Sequence, residues 1–144
     1  MGHQSLVYGA IEVPVGDDRS ALEAQAKNRN ALDSLPSVDG WPFLIRAMFS
    51  QTFSADNNVQ YAFGVIHFGA SYKEVEEEWA SWVGKFEKLL SQMRGAGAVV
   101  HLESERFGNH KLEWLGSFGK ASPSESEAWS FVGGPRSFHA LAHT

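Results

Sequence analysis

The sequence predicts an α+β domain: an antiparallel sheet of ferredoxin-like βαββαβ order with an added C-terminal hairpin strand, and two helices on one face. Three observations predict it. Two segments repeat apolar residues with the helical period. The stretches around them alternate with the strand period. Along the 144 residues the order is strand, helix, two strands, helix, strand, strand.

The first strand is "SLVYGAIEV", residues 5–13, with Val7, Ile11 and Val13 on one face. Ser20-x-x-Glu23 then reads as a capping box opening a helix that runs to about Leu35 and stops before Pro36. Its stripe is Ala21, Ala24, Asn28, Ala31, Leu32 and Leu35; such small residues suit close packing on a sheet. Next, Phe43, Ile45, Ala47, Phe49 and Phe53 alternate with Leu44, Arg46, Met48, Ser50 and Thr52, the clearest strand pattern in the chain. Asp56-Asn57-Asn58 supplies turn chemistry, and "VQYAFGVIHF" returns as the second strand of a hairpin.

The second helix carries Val75, Trp79, Trp82, Val83, Phe86, Leu89, Leu90 and Met93 within an arc of ~120°, so both tryptophans belong to its buried stripe. Ser71-x-x-Glu74 reads as its capping box and Gly95 as its left-handed C′ residue. "AVVHLESERF", Gly108-Asn109 and "HKLEWLGSF" read as a closing hairpin. Residues 1–119 therefore form one domain. Residues 120–144 are rich in Ser, Gly and Pro and read as a peripheral extension outside the sheet. Within it, Ser124-x-x-Glu127 would cap a helical turn carrying Trp129 and Val132, and Trp129, Phe131, Phe138 and Leu141 are its anchors.

Composition bounds the function. Twelve Lys and Arg stand against seventeen Asp and Glu, a net charge of −5. Nucleic acid and anionic membranes attract clustered cations, and no such cluster is present; a basic protein is the better electrostatic partner. With no cysteine there are no disulfides, thiolate metal sites or Cys nucleophiles, which fits a reducing compartment. No apolar run approaches the ~18 residues of a membrane span, and the first residues lack the apolar core of a signal peptide. The expected location is the cytoplasm.

The uncovered sheet face is the expected site. His101, Glu103 and Glu105 alternate with Val100 and Leu102, so they point away from the helices. A two-residue Gly108-Asn109 loop would pair Glu105 with Leu112 and Glu103 with Trp114 on that face, although it would also oppose Arg106 to Lys111. The predicted partner-binding residues are therefore His101, Glu103, Glu105, Leu112 and Trp114: an acidic patch with a Trp anchor, against the plainer reading of a solvated strand face.

His101, Glu103 and Glu105, with His67 or His110, also have the residue types of a metal site, but their spacing does not demand one. His139 and His143 lack the intervening glutamate of a zinc-protease helix and read as part of the tail. No catalytic motif is present, and no catalytic residue, metal or cofactor is predicted. A second reading is a small-molecule binder or cofactor-free enzyme formed by two sheets packed face to face. His67, His101 and Glu103 would then do acid–base work inside a concave apolar pocket. Oligomeric state is not fixed by the sequence.

The α+β order, the acidity and the aromatic segments "WPFLIRAMFSQ" and "HKLEWLGSFG" resemble the small Cys-free immunity proteins that bacteria encode beside polymorphic toxins. The resemblance runs to about Gly119 and carries over no functional residue. It implies a non-catalytic inhibitor that binds one cognate toxin tightly.

Overall fold

Val7, Ile11 and Val13 are fully buried, as their alternation requires, in a strand, β1 (Gln4–Pro14), that lies inside the sheet rather than at its edge. The computed structural model describes residues 3–16, 18–51, 63–116 and 129–138. After β1 come helix α1 (Arg19–Asp33), strands β2 (Phe49–Gln51) and β3 (Phe63–Lys73), helix α2 (Trp79–Leu90), and strands β4 (Gly97–Ser104), β5 (Gly108–Leu115) and β6 (Ser130–Gly133). The protein is α+β. Among the described residues, six strands form one antiparallel sheet in the order β2-β3-β1-β4-β5-β6. A Cβ at Gly9 would lie 2.0 Å from the Val99 carbonyl oxygen and 2.7 Å from Phe68 Cζ. The missing side chain is what lets β4 and that ring close on β1.

α1 buries the expected stripe, Ala21, Ala24, Asn28, Ala31 and Leu32, with Leu35 half-buried beyond its end. Its cap is Asp18 rather than Ser20: the Asp18 carboxylate accepts from the Ala21 N–H at 2.8 Å. Asn28 is buried with its polar atoms satisfied. Its amide donates to the Arg94 carbonyl at 2.8 Å and accepts from the Arg94 N–H at 2.7 Å, tying α1 to the chain leaving α2.

The strand expected over residues 43–53 is cut short. Residues 46–48 form a 3-10 helix and β2 spans only Phe49–Gln51. Side chains from other elements hold the preceding backbone instead. Lys85 Nζ donates to the Asp39 carboxylate and to the carbonyls of Gly40 and Pro42, and Tyr72 Oη donates to the Phe43 carbonyl. The alternating pattern comes from loop residues that are fixed one by one. Thr52, Phe53 and the turn Asp56-Asn57-Asn58 lie outside the described residues.

Every residue of the predicted α2 stripe is buried, from Val75 through Trp79 and Trp82 to Met93. The predicted caps are not used. Ser71 is a β3 residue paired with Leu6, and Glu74 is left-handed (φ 56) before a 3-10 turn, Val75–Glu78, leads into the helix. Gly95 is not left-handed; it makes room. A Cβ there would lie 2.6 Å from the Glu12 carbonyl oxygen and 2.9 Å from Trp129 Cη2. The rings of Trp79 and Trp82 have centroids 5.1 Å apart, and Trp82 and Phe86 follow at 5.4 Å. Phe86 and Trp114 are 5.2 Å apart, and Trp114 and Phe131 5.4 Å. Together they form a continuous aromatic ladder from α2 to the far strands.

Part of the segment expected outside the sheet joins it. Residues 130–133 pair with β5, placing Phe131 beside Trp114 on the helix-covered face, so the expected helical turn at Trp129 and Val132 is replaced by a strand. Phe138 is buried, stacked on Phe107 and edge-on to His110. Trp79 Nε1 donates to the Pro135 carbonyl at 2.7 Å, and Trp129 Nε1 to that of Met93 at 3.2 Å. The expected boundary at residue 119 thus does not separate core from extension: residues 129–138 supply core side chains. Ser124, Glu127 and Leu141 lie outside the described residues.

Arg136 fastens this segment to α2 through both oxygens of Glu87, at 2.8 and 2.5 Å. That hydrogen-bonded guanidinium, aided by Trp114 Nε1, holds the Glu87 carboxyl below its ordinary value. A folded-state pKa below the unfolded one means stability that is present above the unfolded glutamate value, ~4.3, and lost as pH falls through the folded value. The stability gap between the parent protein and Arg136→Gln should therefore shrink on acidification from about pH 6 to about pH 3, measured by urea unfolding. A gap independent of pH would refute the pairing.

Candidate functional site on the uncovered sheet face

Residues paired across an antiparallel sheet share a face, so the register lays out the side turned from the helices row by row. One row runs Ser71, Leu6, Glu103, Asn109; the next, Gly69, Tyr8, His101, Lys111; the next, Ser50, His67, Ala10, Val99, Glu113; the last, Val65, Glu12, Gly97, Leu115, Ser130. Leu6 (41% exposed) and Tyr8 (39%) stand near the middle, and Leu115 and Val132 are exposed toward the β6 edge.

The Tyr8 ring stacks on His101 with centroids 5.2 Å apart and planes 22° from parallel, and its hydroxyl donates to Glu103 Oε2. That hydrogen bond, together with the carboxylate charge, raises the Tyr8 hydroxyl above its ordinary pKa. Lys111 pairs with Glu113 at 2.8 Å, so the one lysine in these rows is already neutralised. Where the face meets the β4–β5 turn there is an open groove of about 310 Å³, lined by Gln4, Leu6, Glu103, Ser104, Glu105 and Asn109.

His101 and Glu103 therefore stand on the open face as expected. Glu105 sits in the turn; its Oε1 accepts from the Gln4 N–H at 3.2 Å, and it joins Glu103 along the groove. Leu112 and Trp114 do not join them. Both are buried on the helix-covered face, where Trp114 packs against Phe86 and donates to Glu87. The cause is the loop. The turn is Glu105-Arg106-Phe107, not Gly108-Asn109, and Gly108 (φ 81) begins β5 in the left-handed conformation that closes a three-residue hairpin loop. Glu103 then opposes Asn109 and His101 opposes Lys111. An odd shift in register turns every β5 side chain to the other face.

His67 shares the open face but is separated from His101 by β1. His110 lies on the covered side, with Nε2 2.8 Å from the Phe107 carbonyl oxygen. Among the described residues, no three His, Asp or Glu side chains gather as a metal would require. His139 and His143 lie outside them. Sequence reasoning missed Leu6 and Tyr8; the signal was present, since both alternate with Val7 in a strand whose inner face the apolar pattern identifies.

A second groove, of about 290 Å³, lies between the end of α1 and α2, lined by Leu35, Asp39, Leu44, Lys85 and Leu89 among others. Lys85 there is engaged by three backbone and side-chain oxygens and lowers the Asp39 pKa by its hydrogen bond, which makes this a brace for the 39–44 loop.

The fold is α+β, and on the sheet face turned from the two described helices a tyrosine, a histidine and a carboxylate are grouped, the tyrosine touching both others. No helix among the described residues is long and apolar enough to cross a membrane. No protein-family model, no curated protein and no solved structure matches the chain.

Proposed function

We propose that this chain is a non-catalytic protein-binding module that docks a basic partner on its uncovered sheet face, and specifically that it is a cytoplasmic immunity protein that binds and inhibits a cognate bacterial toxin. The observation that carries the reading is the exposure of Leu6 and Tyr8 on β1, inside the sheet, on a face that also carries Glu12, Glu103 and Glu113. An apolar, aromatic centre within a charged rim is the anatomy of a protein interface, and Tyr is among the residues that concentrate binding energy. The net charge of −5 selects a basic partner. The position of β1 between β3 and β4 supports reading the frame as a ferredoxin-like split βαβ unit carried on to β5 and β6.

The enzyme reading needs His67, His101 and Glu103 in one concave apolar pocket. The groove beside Glu103 is open and contains neither histidine, so no observation favours that reading.

The test is to sequence the genes flanking this chain's own and to titrate, by calorimetry, any basic toxin domain encoded there; a flank without one would count against the immunity reading. A nanomolar complex that weakens with added salt is expected. Leu6→Ala with Tyr8→Ala should weaken it by ~1,000-fold, since two truncated anchors at about 2 kcal/mol each remove about 4 kcal/mol. Full affinity in that double variant would remove the sheet face from the reading.

A further inference from the structure

We infer that the groove at the Gln4 end of the open face is a subsite for a single arginine side chain of the partner protein. The inference rests on the docking role proposed above and specifies its chemistry.

The groove joins three kinds of surface. Leu6 gives an exposed apolar wall on which the methylene stem of a long cationic side chain can lie. Glu103 and Glu105 bring two carboxylates to the same cavity, with the amides of Gln4 and Asn109 beside them. In the adjacent row, Tyr8 is hydrogen-bonded to Glu103 and stacked on His101, so aromatic surface adjoins the carboxylate that would take the charge.

The described cations do not fill this role. Lys111 is paired with Glu113, Arg106 reaches Glu77 at 3.3 Å, and among the described residues neither Glu103 nor Glu105 has a cationic partner. Each carboxylate is instead held by a single bond through one oxygen. Tyr8 Oη donates to Oε2 of Glu103, and the Gln4 N–H donates to Oε1 of Glu105. Both side chains are therefore positioned before a ligand arrives, and each keeps its second oxygen. Preorganised acceptors beside an aromatic ring favour guanidinium over ammonium. The planar fork presents several N–H donors to the two carboxylates at once, whereas an ammonium is a hydrated point charge.

The experiment is amide NMR titration of the full chain with three peptides: hexa-arginine, hexa-lysine and hexa-citrulline, the last being the uncharged isostere of arginine. Hexa-arginine should shift the amides of Leu6, Tyr8, His101, Glu103 and Glu105 saturably, and should bind at least about threefold more tightly than hexa-lysine. Hexa-citrulline should leave them unmoved. Glu103 is half-buried and Glu105 exposed, so Glu103→Gln with Glu105→Gln leaves the core untouched. That exchange should weaken hexa-arginine about tenfold, with an unchanged thermal midpoint confirming the fold. Equal binding of hexa-lysine would overturn the assignment to arginine, as would arginine shifts centred elsewhere or untouched by the double exchange. If the toxin domain binds and Leu6→Ala with Tyr8→Ala weakens it, while hexa-arginine leaves the groove unmoved, the subsite falls and the docking face stands.

Discussion

Truncating the chain after Lys120 is expected to abolish cooperative unfolding, not to trim a dispensable tail. The deletion removes Phe138, a fully buried ring, and with it the half-buried Trp129 and Phe131. Burial of the Phe138 ring alone is worth about 2–3 kcal/mol in transfer. The deletion also strips β5 of its outer neighbour, breaks the two-bond Arg136–Glu87 pair and leaves Trp79 Nε1 without its acceptor at the Pro135 carbonyl. An unmet buried donor costs a further ~1–3 kcal/mol. Together these losses approach the ~5–15 kcal/mol that separates a folded domain from its unfolded chain. Because the truncated protein is expected not to fold, Phe138→Ala is the measurable companion. It should lower stability by about 3–5 kcal/mol in urea unfolding, the usual cost of emptying an aromatic site. A truncated chain with a sharp transition and a loss below ~2 kcal/mol, the range of an ordinary single substitution, would show that the segment only rests on the surface.

Ser104→Ala should be nearly as damaging, although it deletes one oxygen. That hydroxyl donates to Glu76 Oε2 at 2.5 Å while accepting from the N–H groups of Arg106, at 3.1 Å, and Phe107, at 2.9 Å. Glu76 is 2% exposed, and its other oxygen, Oε1, is buried with no hydrogen-bond partner among the described residues. Ser104 is therefore the bond that a buried acidic side chain relies on, and it also pins the turn that sets the β4–β5 register. A hydrogen bond to a charged group is worth about 1.5–3 kcal/mol and each of the two backbone bonds about 1 kcal/mol, so a loss of about 3.5–5 kcal/mol is expected. A double-mutant cycle isolates the buried part: in a Glu76→Leu background the same serine exchange should cost clearly less. Equal costs in both backgrounds would mean that the serine and the glutamate do not interact.

The α2 stripe was legible because the helical period reports burial directly, and all eight of its apolar residues are inside. The inner face of β1 was legible for the same reason, through the period of two. What was not legible depends in part on partners distant in sequence and in part on a choice between near-equivalent local signals. Ser71 satisfies a local capping pattern, but β3 continues through it because Leu6 is there to pair with. Ser20 yields its capping role to Asp18, two positions earlier. The β4–β5 register turns on a loop of three residues instead of two, and that choice moves Leu112 and Trp114 from the predicted interface into the core. In the last segment, composition makes Gly133 and Gly134 strand breakers. They end a short strand instead of preventing one, and Gly134 (φ 128) lets the chain press against Leu112, where a Cβ would lie 2.6 Å from Leu112 Cγ. The candidate site was half legible. His101 and Glu103 follow from strand alternation, while Tyr8, which touches both, lies on the neglected side of a correctly identified strand.

The placing of β1 between β3 and β4 has a kinetic meaning. The Tyr8–Glu103 hydrogen bond spans 95 positions and the Gln4–Glu105 bond spans 101, so the candidate face is assembled from stretches that lie far apart along the chain. Such contacts form only after long loops have closed, an entropic penalty that slows folding relative to a chain of local hairpins. A chain that has folded only its helices and the β2–β3 pair has not yet assembled the candidate face. Under the docking role proposed above, binding competence would be a late event, gained in the same step that completes the sheet, and a partner engaging this face would select finished molecules over folding intermediates.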